Sequence, residues 1–319
     1  MVVPFVNLSI SLSNLSDRMR RLLAAYLLPL ALVGCSDVRP PAGDSSIEAD
    51  YSQWSDWADS NPSWVEAVSP FRIIDSVYFV GTRGLSSFLI TSSDGHVIID
   101  GGLPQNAPVI VENIEKLGFD IRDVRALLNS HAHFDHSGGL AELRAASGAM
   151  LYASEGDRAA LEGGFSLGDE DDQDYAAPPV PVDSVVVDGD QVRLGDIELT
   201  ARLTPGHTRG CTSWWLPVEV NGQSLDVLFF CSATVAGNRL VPPQYDGMVE
   251  DYRRTFSITK DWQPDVFLAN HPSFFDFDDK RSALAAGDSM AFVDKVGFSK
   301  LMERLEASFE SALASAQAE

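Results

Sequence analysis

Three histidines and one aspartate lie within six consecutive residues, His131-Ala132-His133-Phe134-Asp135-His136. Neutral imidazole nitrogens and a hard carboxylate oxygen are the ligands that hydrolytic zinc sites use. Four such ligands so close together cannot all reach one tetrahedral ion, but on a turn they can be divided between two neighbouring ions. A single histidine is more often structural than a ligand, whereas this density of ligands predicts a metal site.

The remaining histidines are consistent with the same prediction. The chain has six histidines, and two of those outside the motif, His207 and His271, follow predicted strands. Because loops gather where strands end, both side chains are expected at the same end of the sheets as the motif. Only His96, inside a predicted strand and next to a turn, has no such setting, and we interpret it as structural.

The elements that position these residues are short strands and a few helices. Runs of β-branched and aromatic residues predict strands at 77–80, 87–90, 96–99, 124–128, 150–152, 184–187, 191–194, 198–203, 213–218, 225–230 and 266–268. Helical patterns occur at 106–117, 139–147, 248–259 and 302–313. Each half of the chain has strands followed by a helix, which predicts two sheets packed face to face with helices outside.

The motif, followed in this order by Gly206-His207-Thr208 and Asn270-His271-Pro272, resembles the metallo-β-lactamase superfamily. The match runs from about Phe71 to the C-terminus. It implies an α/β (α+β) fold, the αββα four-layer sandwich of that superfamily. It also implies two zinc ions per chain, bound in a groove at one edge of the sheets.

The resemblance assigns the ligands residue by residue. The first zinc ion would be bound by His131, His133 and His207. The second would be bound by Asp135, His136 and His271. Asp100, in the segment Ile98-Ile99-Asp100-Gly101-Gly102, matches a position that supports the site from behind the ligands.

Ser232 distinguishes between the activities found in this superfamily. Glyoxalase-like, lactonase and phosphodiesterase members usually carry a bridging aspartate after the strand that precedes the last histidine. The matching stretch here, Phe230-Cys231-Ser232-Ala233-Thr234, has a serine at that position. A serine there, beside an Asp-His-His second site, is similar to the third subclass of class B β-lactamases. Segments 81–87, 204–213 and 271–274 are similar to that subclass too, although Arg209 stands where proline is commoner.

The resemblance implies hydrolysis of the β-lactam amide bond by a zinc-bound hydroxide, and hence resistance to β-lactam antibiotics. A catalytic metal lowers the pKa of its water from ~15.7 to about 7. Asp135 is expected to orient the hydroxide as the catalytic residue. Ser232 and Thr234 are candidates to bind the substrate carboxylate, and Asn238 to donate to the oxyanion. A loop-forming role explains these three polar residues equally well.

Two other functions are compatible with the motif. The first is a lactonase, or another ester or thioester hydrolase, on the same metal site, against which the missing bridging aspartate argues. The second is a lipid-anchored zinc-binding or adhesion protein without catalysis. The complete ligand set argues against that second alternative.

The composition limits the partners of the chain. It has 319 residues, 45% of them hydrophobic, and its 23 basic against 46 acidic residues give a net charge of −23. Such a field repels nucleic acid and anionic lipid headgroups, so we expect neither as a partner. The family resemblance implies a small β-lactam as the ligand, and we expect a monomer.

The first residues have the pattern of an export signal. A basic region around Arg20 is followed by the apolar, uncharged run from Leu22 to Val33, which is too short to span a bilayer. Leu32-Val33-Gly34-Cys35 resembles the lipobox of bacterial lipoproteins, with an ordinary signal peptide as the alternative. We therefore expect a signal peptide at 1–34, a tether at 35–66 lipid-anchored through Cys35, and the metallo-β-lactamase domain at 67–319. The expected location is the periplasm, on the outer membrane.

If Cys35 carries the lipid, two cysteines remain, Cys211 and Cys231. In an exported protein two thiols meet an oxidising compartment. The β-lactamase subclass has a matching pair, so the resemblance implies a disulfide between them. Two buried free thiols are the alternative.

Overall fold

The computed structural model describes residues 50–318, which form two β-sheets with helices on their outer faces. The first sheet has seven strands in chain order: β1 Phe71–Ile74, β2 Val77–Phe79, β3 Phe88–Ser92, β4 Gly95–Ile99, β5 Val124–Leu128, β6 Met150–Ser154 and β7 Ser184–Val186. The second has five, in the order β12-β11-β10-β9-β8: β8 Gln191–Leu194, β9 Ile197–Leu203, β10 Thr212–Val220, β11 Gln223–Phe230 and β12 Val266–Ala269.

Helices connect the parallel strands and cover the outer faces of both sheets. Their bounds are α1 Ser55–Ser60, α2 Ala107–Lys116, α3 Phe134–Ser137, α4 Leu140–Ser147, α5 Glu155–Gly163, α6 Met248–Thr259, α7 Phe277–Ala285 and α8 Gly297–Ala318. Strands β4 to β7 pair in parallel, which requires crossover connections. Helix α6 lies in the connection between the parallel strands β11 and β12.

Alternate residues of the first sheet belong to two different cores. Phe88 and Ile90 pack toward the second sheet, in one cluster with Trp214 and Phe229. Leu89 instead packs against the helices of the first sheet, in a separate cluster. Because strand side chains alternate between faces, this division produces the order helix, sheet, sheet, helix. The predicted αββα sandwich is therefore confirmed.

Most predicted elements are present, with a few differences at their ends. The predicted helix at 106–117 is α2, and the one predicted at 302–313 is the core of the longer α8. The sequence analysis missed strand β1 and helices α1, α3, α5 and α7. Helix α5 carries a buried aspartate, Asp157, on the same face as the buried Ala160 and Leu161, and this charge interrupts the apolar stripe by which a helix is recognised.

The N-terminal part of the described chain is folded onto the domain, although the sequence assigned residues 35–66 to a tether. Trp54 is buried, and its indole donates to the carbonyl of Ala176 at 2.8 Å. Trp57 and Trp64 pack on Phe134. The folded body therefore begins before residue 67, because these aromatic side chains bury apolar surface against it.

The signal peptide predicted at 1–34 and the lipid attachment site predicted at Cys35 lie outside the described residues. Within residues 50–318, no helix combines the length and the apolar character that crossing a bilayer requires.

Candidate metal centre

Three loops bring the predicted ligands together at one end of the sheets. Strand β5 ends at Leu128, and the motif follows it, with its last residues in the one-turn helix α3. His207 follows β9, and His271 follows β12 by two residues. Gly206 precedes His207 with φ at +133°, a conformation that favours glycine. The segment that turns into the site therefore depends on this residue.

The ligand atoms of the first set converge on one point. His131 Nε2 lies 3.2 Å from His207 Nε2, and His133 Nδ1 lies 3.1 Å from the same His207 atom. Nitrogens bound tetrahedrally to zinc at 2.0–2.1 Å are about 3.3 Å apart. The three rings are thus arranged as ligands of a single ion, and the donor set fits zinc.

The second set converges in the same way. Asp135 Oδ2 lies 3.1 Å from His136 Nε2 and 3.5 Å from His271 Nε2. The two histidine nitrogens are 3.2 Å apart. The structure therefore brings the six predicted ligands together in two groups of three, and these separations also fit a tetrahedral ion.

Hydrogen bonds behind the rings fix which nitrogen faces the site. His207 Nδ1 is 2.8 Å from the carbonyl of Thr234, and His271 Nδ1 is 3.1 Å from the carbonyl of Gly84. A carbonyl only accepts, so both Nδ1 atoms donate and both Nε2 atoms keep a free lone pair. This is the support that metal-bound histidines generally have.

Burial keeps most of these rings in the neutral form that binds metal. It lowers the pKa of His133 and of His271 to about 4, with the neighbouring His136 contributing in both cases. Burial and the neighbouring histidines also hold the pKa values of His131 and His207 well below the ordinary value.

Asp135 and His136 form the charged part of the site. Burial alone would raise the pKa of Asp135, but His136, His271 and His133 outweigh it and hold the pKa below its usual range. Burial lowers the pKa of His136, whereas Asp135 and Asp100 raise it by more. The carboxylate is therefore ionised at neutral pH.

Asp100 supports the first set through a residue that the sequence analysis missed. Its carboxylate accepts from the Ser130 backbone N–H at 2.7 Å and from the Ser130 hydroxyl at 2.6 Å. Ser130 Oγ is 3.0 Å from His131 Nδ1. Asp100 thus acts on His131 through Ser130 and not directly. The sequence did contain one sign of this role. Ser130 directly precedes His131, and a hydroxyl at that position can reach the ring of the ligand.

A cavity of about 290 Å³ opens on the ligands. One wall is aromatic and consists of Trp57, Trp64, Phe134 and Tyr175. Of these four residues, the sequence analysis placed only Phe134, which belongs to the motif, near the site. The rings of Trp57 and Trp64 are stacked, with centroids 6.1 Å apart. The site therefore combines metal ligands with an apolar surface.

The predicted substrate contacts are Ser232, Thr234 and Asn238. Thr234 and Asn238 line the cavity. Ser232 is buried, and its hydroxyl is 3.1 Å from that of Thr234. The Asn238 amide nitrogen donates to the carbonyl of His207 at 2.8 Å and to the hydroxyl of Tyr252 at 3.0 Å. Both of its N–H groups are used within the protein, so this geometry corrects the expectation that Asn238 offers a donor to an oxyanion.

The two cysteines lie directly behind the first set of ligands. The structure joins Cys211 and Cys231 in a disulfide with a Cα–Cα distance of 5.9 Å. Cys231 Sγ is 3.6 Å from His131 Nδ1. Because the two sulfurs are bonded to each other, this part of the site offers no thiolate ligand.

Removing the disulfide should destabilise the protein without rearranging the ligands. The sequence separation is 20 residues, for which the chain-entropy model gives about 3 kcal/mol. We expect the Cys211→Ala/Cys231→Ala double variant to lose about this much free energy of unfolding in denaturant titrations. Mass spectrometry of the unreduced wild type should find neither thiol alkylated; alkylation of both would contradict the prediction.

The αββα sandwich and six convergent His and Asp ligands define a class of protein, the metal-dependent hydrolases. Residues 80–221 match the model of the metallo-β-lactamase superfamily. The solved structure of BJP-1, a subclass B3 metallo-β-lactamase of Bradyrhizobium japonicum, is 43% identical with a TM-score of 0.78. The similarity covers 80% of this chain and 97% of that one. The chain belongs to the metallo-β-lactamase superfamily, and it is a hydrolase.

Curated relatives with other activities match over shorter stretches. A hydroxyacylglutathione hydrolase of Rhodospirillum rubrum is 33% identical over 112 residues, which are 35% of this chain and 36% of the relative. The N-acyl homoserine lactonase AttM of Rhizobium radiobacter is 30% identical over 147 residues, 39% of this chain and 56% of the relative. The chain thus spans about a third to a half of the length of these relatives.

Proposed function

We propose that this chain is a dizinc β-lactamase that hydrolyses the amide bond of the β-lactam ring and so gives resistance to β-lactam antibiotics. The observation that carries the proposal is the complete ligand set beside Ser232, where a bridging carboxylate is absent. A second metal ion with fewer anionic ligands is more electrophilic. It is better able to hold a carboxylate and a departing nitrogen, and β-lactams have both groups.

The register of the second sheet supports the view that Ser232 occupies the position of a bridging aspartate. Strands β11 and β12 are parallel, with Phe230 beside Ala269. Ser232 and His271 both lie two residues beyond this pair, so they continue side by side from the ends of the two strands. The position that would carry a bridging aspartate therefore adjoins the second set of ligands.

Two bound zinc ions would supply a Lewis acid for the lactam carbonyl and a water of lowered pKa. The ionised Asp135 is placed to accept a hydrogen bond from the attacking water and so to orient it. His131, His207 and His271 hold their Nε2 lone pairs toward the same space because the Nδ1 atom of each ring is hydrogen-bonded to the protein. The hydroxyls of Ser232 and Thr234 are the candidates to bind the substrate carboxylate.

The aromatic wall gives the site a place for an apolar substituent of the substrate. Trp57 is half-buried, stacks beside Trp64, and lines the cavity with it. Aromatic contacts contribute about 0.5–1.5 kcal/mol beyond the burial of area. We expect the side chain next to the lactam ring to lie against this wall.

Trp57→Ala should raise KM for a penicillin with an aromatic side chain by about tenfold, as 1.4 kcal/mol of lost contact predicts. The kcat should change little, because the wall does not touch the reacting bond. A penicillin without a side chain should show the same KM for both proteins. Trp215→Ala is the matched control, since Trp215 packs on Trp262 and does not line the cavity. Equal KM changes for both substrates would contradict the assignment.

A second candidate function is supported by the curated relatives. Their activities make a lactonase or another ester or thioester hydrolase the alternative on the same metal site. The zinc-loaded protein should be assayed against a panel of penicillins, cephalosporins, carbapenems, N-acyl homoserine lactones and acylglutathiones. The proposal predicts β-lactam turnover that chelators abolish and serine-directed inhibitors leave unchanged. Lactone or thioester turnover with every β-lactam intact would replace it by the alternative.

The proposed location is the periplasm, with a lipid anchor on the outer membrane through Cys35. The support is the Leu32-Val33-Gly34-Cys35 segment and the apolar run before it. Cys35→Ala should move the protein from the membrane fraction to the soluble periplasm, because several acyl chains are needed for stable attachment. Retention in the membrane fraction would overturn the lipoprotein assignment.

A further inference from the structure

Asp157 is a buried carboxylate that belongs to neither set of ligands. It lies in the first turn of α5, and only 2% of its surface is exposed. It accepts three hydrogen bonds, from the Ala132 backbone N–H at 3.0 Å, the Thr208 hydroxyl at 2.8 Å and the Gly210 backbone N–H at 2.8 Å. Among residues 50–318, no ion pair involves Asp157. Its partners are therefore neutral.

These donors come from the two loops that carry the first set of ligands. Ala132 lies between His131 and His133, and Thr208 directly follows His207. One carboxylate thus connects the segment after β5 to the segment after β9, which lie in different sheets. The distance between these segments sets the spacing of the three ligand nitrogens.

The contact between α5 and the second loop leaves no room for side chains. A Cβ on Gly210 would lie 2.3 Å from the Asp157 backbone nitrogen, and a Cβ on Gly156 would lie 2.7 Å from the Arg209 carbonyl carbon. Two glycines facing each other allow the backbones to meet. The carboxylate can reach both loops only because of this close approach.

We propose that Asp157 is a positioning residue that holds the two loops at the separation required by the metal site formed by His131, His133 and His207. This role rests on the proposed function only because that function identifies the metal as zinc. It concerns how tightly the site binds the metal, not which substrate is hydrolysed.

An amide cannot replace this carboxylate. Ala132 N–H and Thr208 O–H bond one oxygen, and Gly210 N–H bonds the other. Asparagine has one acceptor oxygen, so in either orientation its NH₂ group faces at least one backbone N–H. Burial raises the pKa of Asp157 to about 6, which leaves the carboxylate ionised, and able to accept all three bonds, above that pH.

The test measures zinc affinity directly. We expect Asp157→Asn to bind the tighter zinc equivalent about 10- to 100-fold more weakly than the wild type at pH 7.5, in competition with a chelating dye, as for other residues that orient ligands. Cobalt substitution should show an altered absorption spectrum. Activity lost by the variant should return as free zinc is raised.

Asp183→Asn is the matched control. Asp183 also accepts a backbone N–H, that of Leu151 at 2.9 Å, and pairs with Arg144, but it touches no ligand loop. The Asp183→Asn variant should have a lower melting temperature and unchanged zinc affinity.

Thr208→Val removes a single donor to Asp157 and should weaken zinc binding by a few-fold, which provides a test even if Asp157→Asn does not fold. Thr208→Ser keeps the hydroxyl and should bind zinc as tightly as the wild type.

Wild-type zinc affinity in both Asp157→Asn and Thr208→Val, or an equal loss in Asp183→Asn, would overturn the proposal. The outcome is independent of the substrate class. If the wild type binds zinc but hydrolyses no β-lactam, the proposed function fails, while the difference in zinc affinity still decides the role of Asp157.

Discussion

His136→Ala should lower kcat/KM for β-lactams by about a thousandfold, corresponding to about 4 kcal/mol of lost transition-state stabilisation. The variant keeps Asp135 and His271 but loses the third ligand of the second set. His136 Nε2 lies 3.1 Å from the Asp135 carboxylate and 3.2 Å from His271 Nε2. The second metal ion should then be lost first. Metal analysis should find one equivalent of zinc where the wild type binds two.

His96→Ala is the control for this variant. His96 is the one histidine outside the site, and its ring packs edge-on against Phe119 with centroids 4.9 Å apart. Its loss should alter stability and leave kcat/KM within about threefold of the wild type, as expected of a residue remote from the reacting groups. Near-normal β-lactam turnover by His136→Ala at limiting zinc would show that the second site is not required.

The ligands could be predicted from the sequence because each lies in a short segment that follows a strand. Loops gather where strands end, so the residues after β5, β9 and β12 were expected near one another. Two sheets packed face to face were predictable because each half of the chain has strands followed by a helix, and the family resemblance implied the αββα order. Residues within a strand, or in a motif directly after one, could therefore be predicted from the sequence around them.

The supporting residues could not be predicted, because their roles come from tertiary contacts. Ser130 is a ring partner only because its hydroxyl lies between Asp100 and His131. Asp157 resembles an ordinary acidic residue in the first turn of a helix, yet it bonds two loops distant in sequence. Trp57 lies in a polar segment, and its place in the cavity wall depends on its indole donating to the carbonyl of Asp174.

Ser232→Asp should lower kcat/KM for β-lactams by about a hundredfold. A carboxylate at this position adds a negative charge beside the second set of ligands, where Asp135 is already ionised. It reduces the electrophilicity of the metal ion and repels the carboxylate of the substrate; at 4 Å, like charges interact by about 4 kcal/mol at an effective dielectric constant of 20. Lactones lack that carboxylate, so their turnover should be unchanged or increased.

Ser232→Ala separates the effect of the added charge from loss of the hydroxyl. Within residues 50–318, the hydroxyl bonds only Thr234, through its side-chain oxygen at 3.1 Å and its backbone N–H at 3.2 Å. Its removal should cost no more than about tenfold in kcat/KM, in line with one hydrogen bond. A Ser232→Asp variant with wild-type β-lactam turnover would show that the missing carboxylate does not select the substrate. The choice between β-lactams and lactones would then have to lie in the cavity wall.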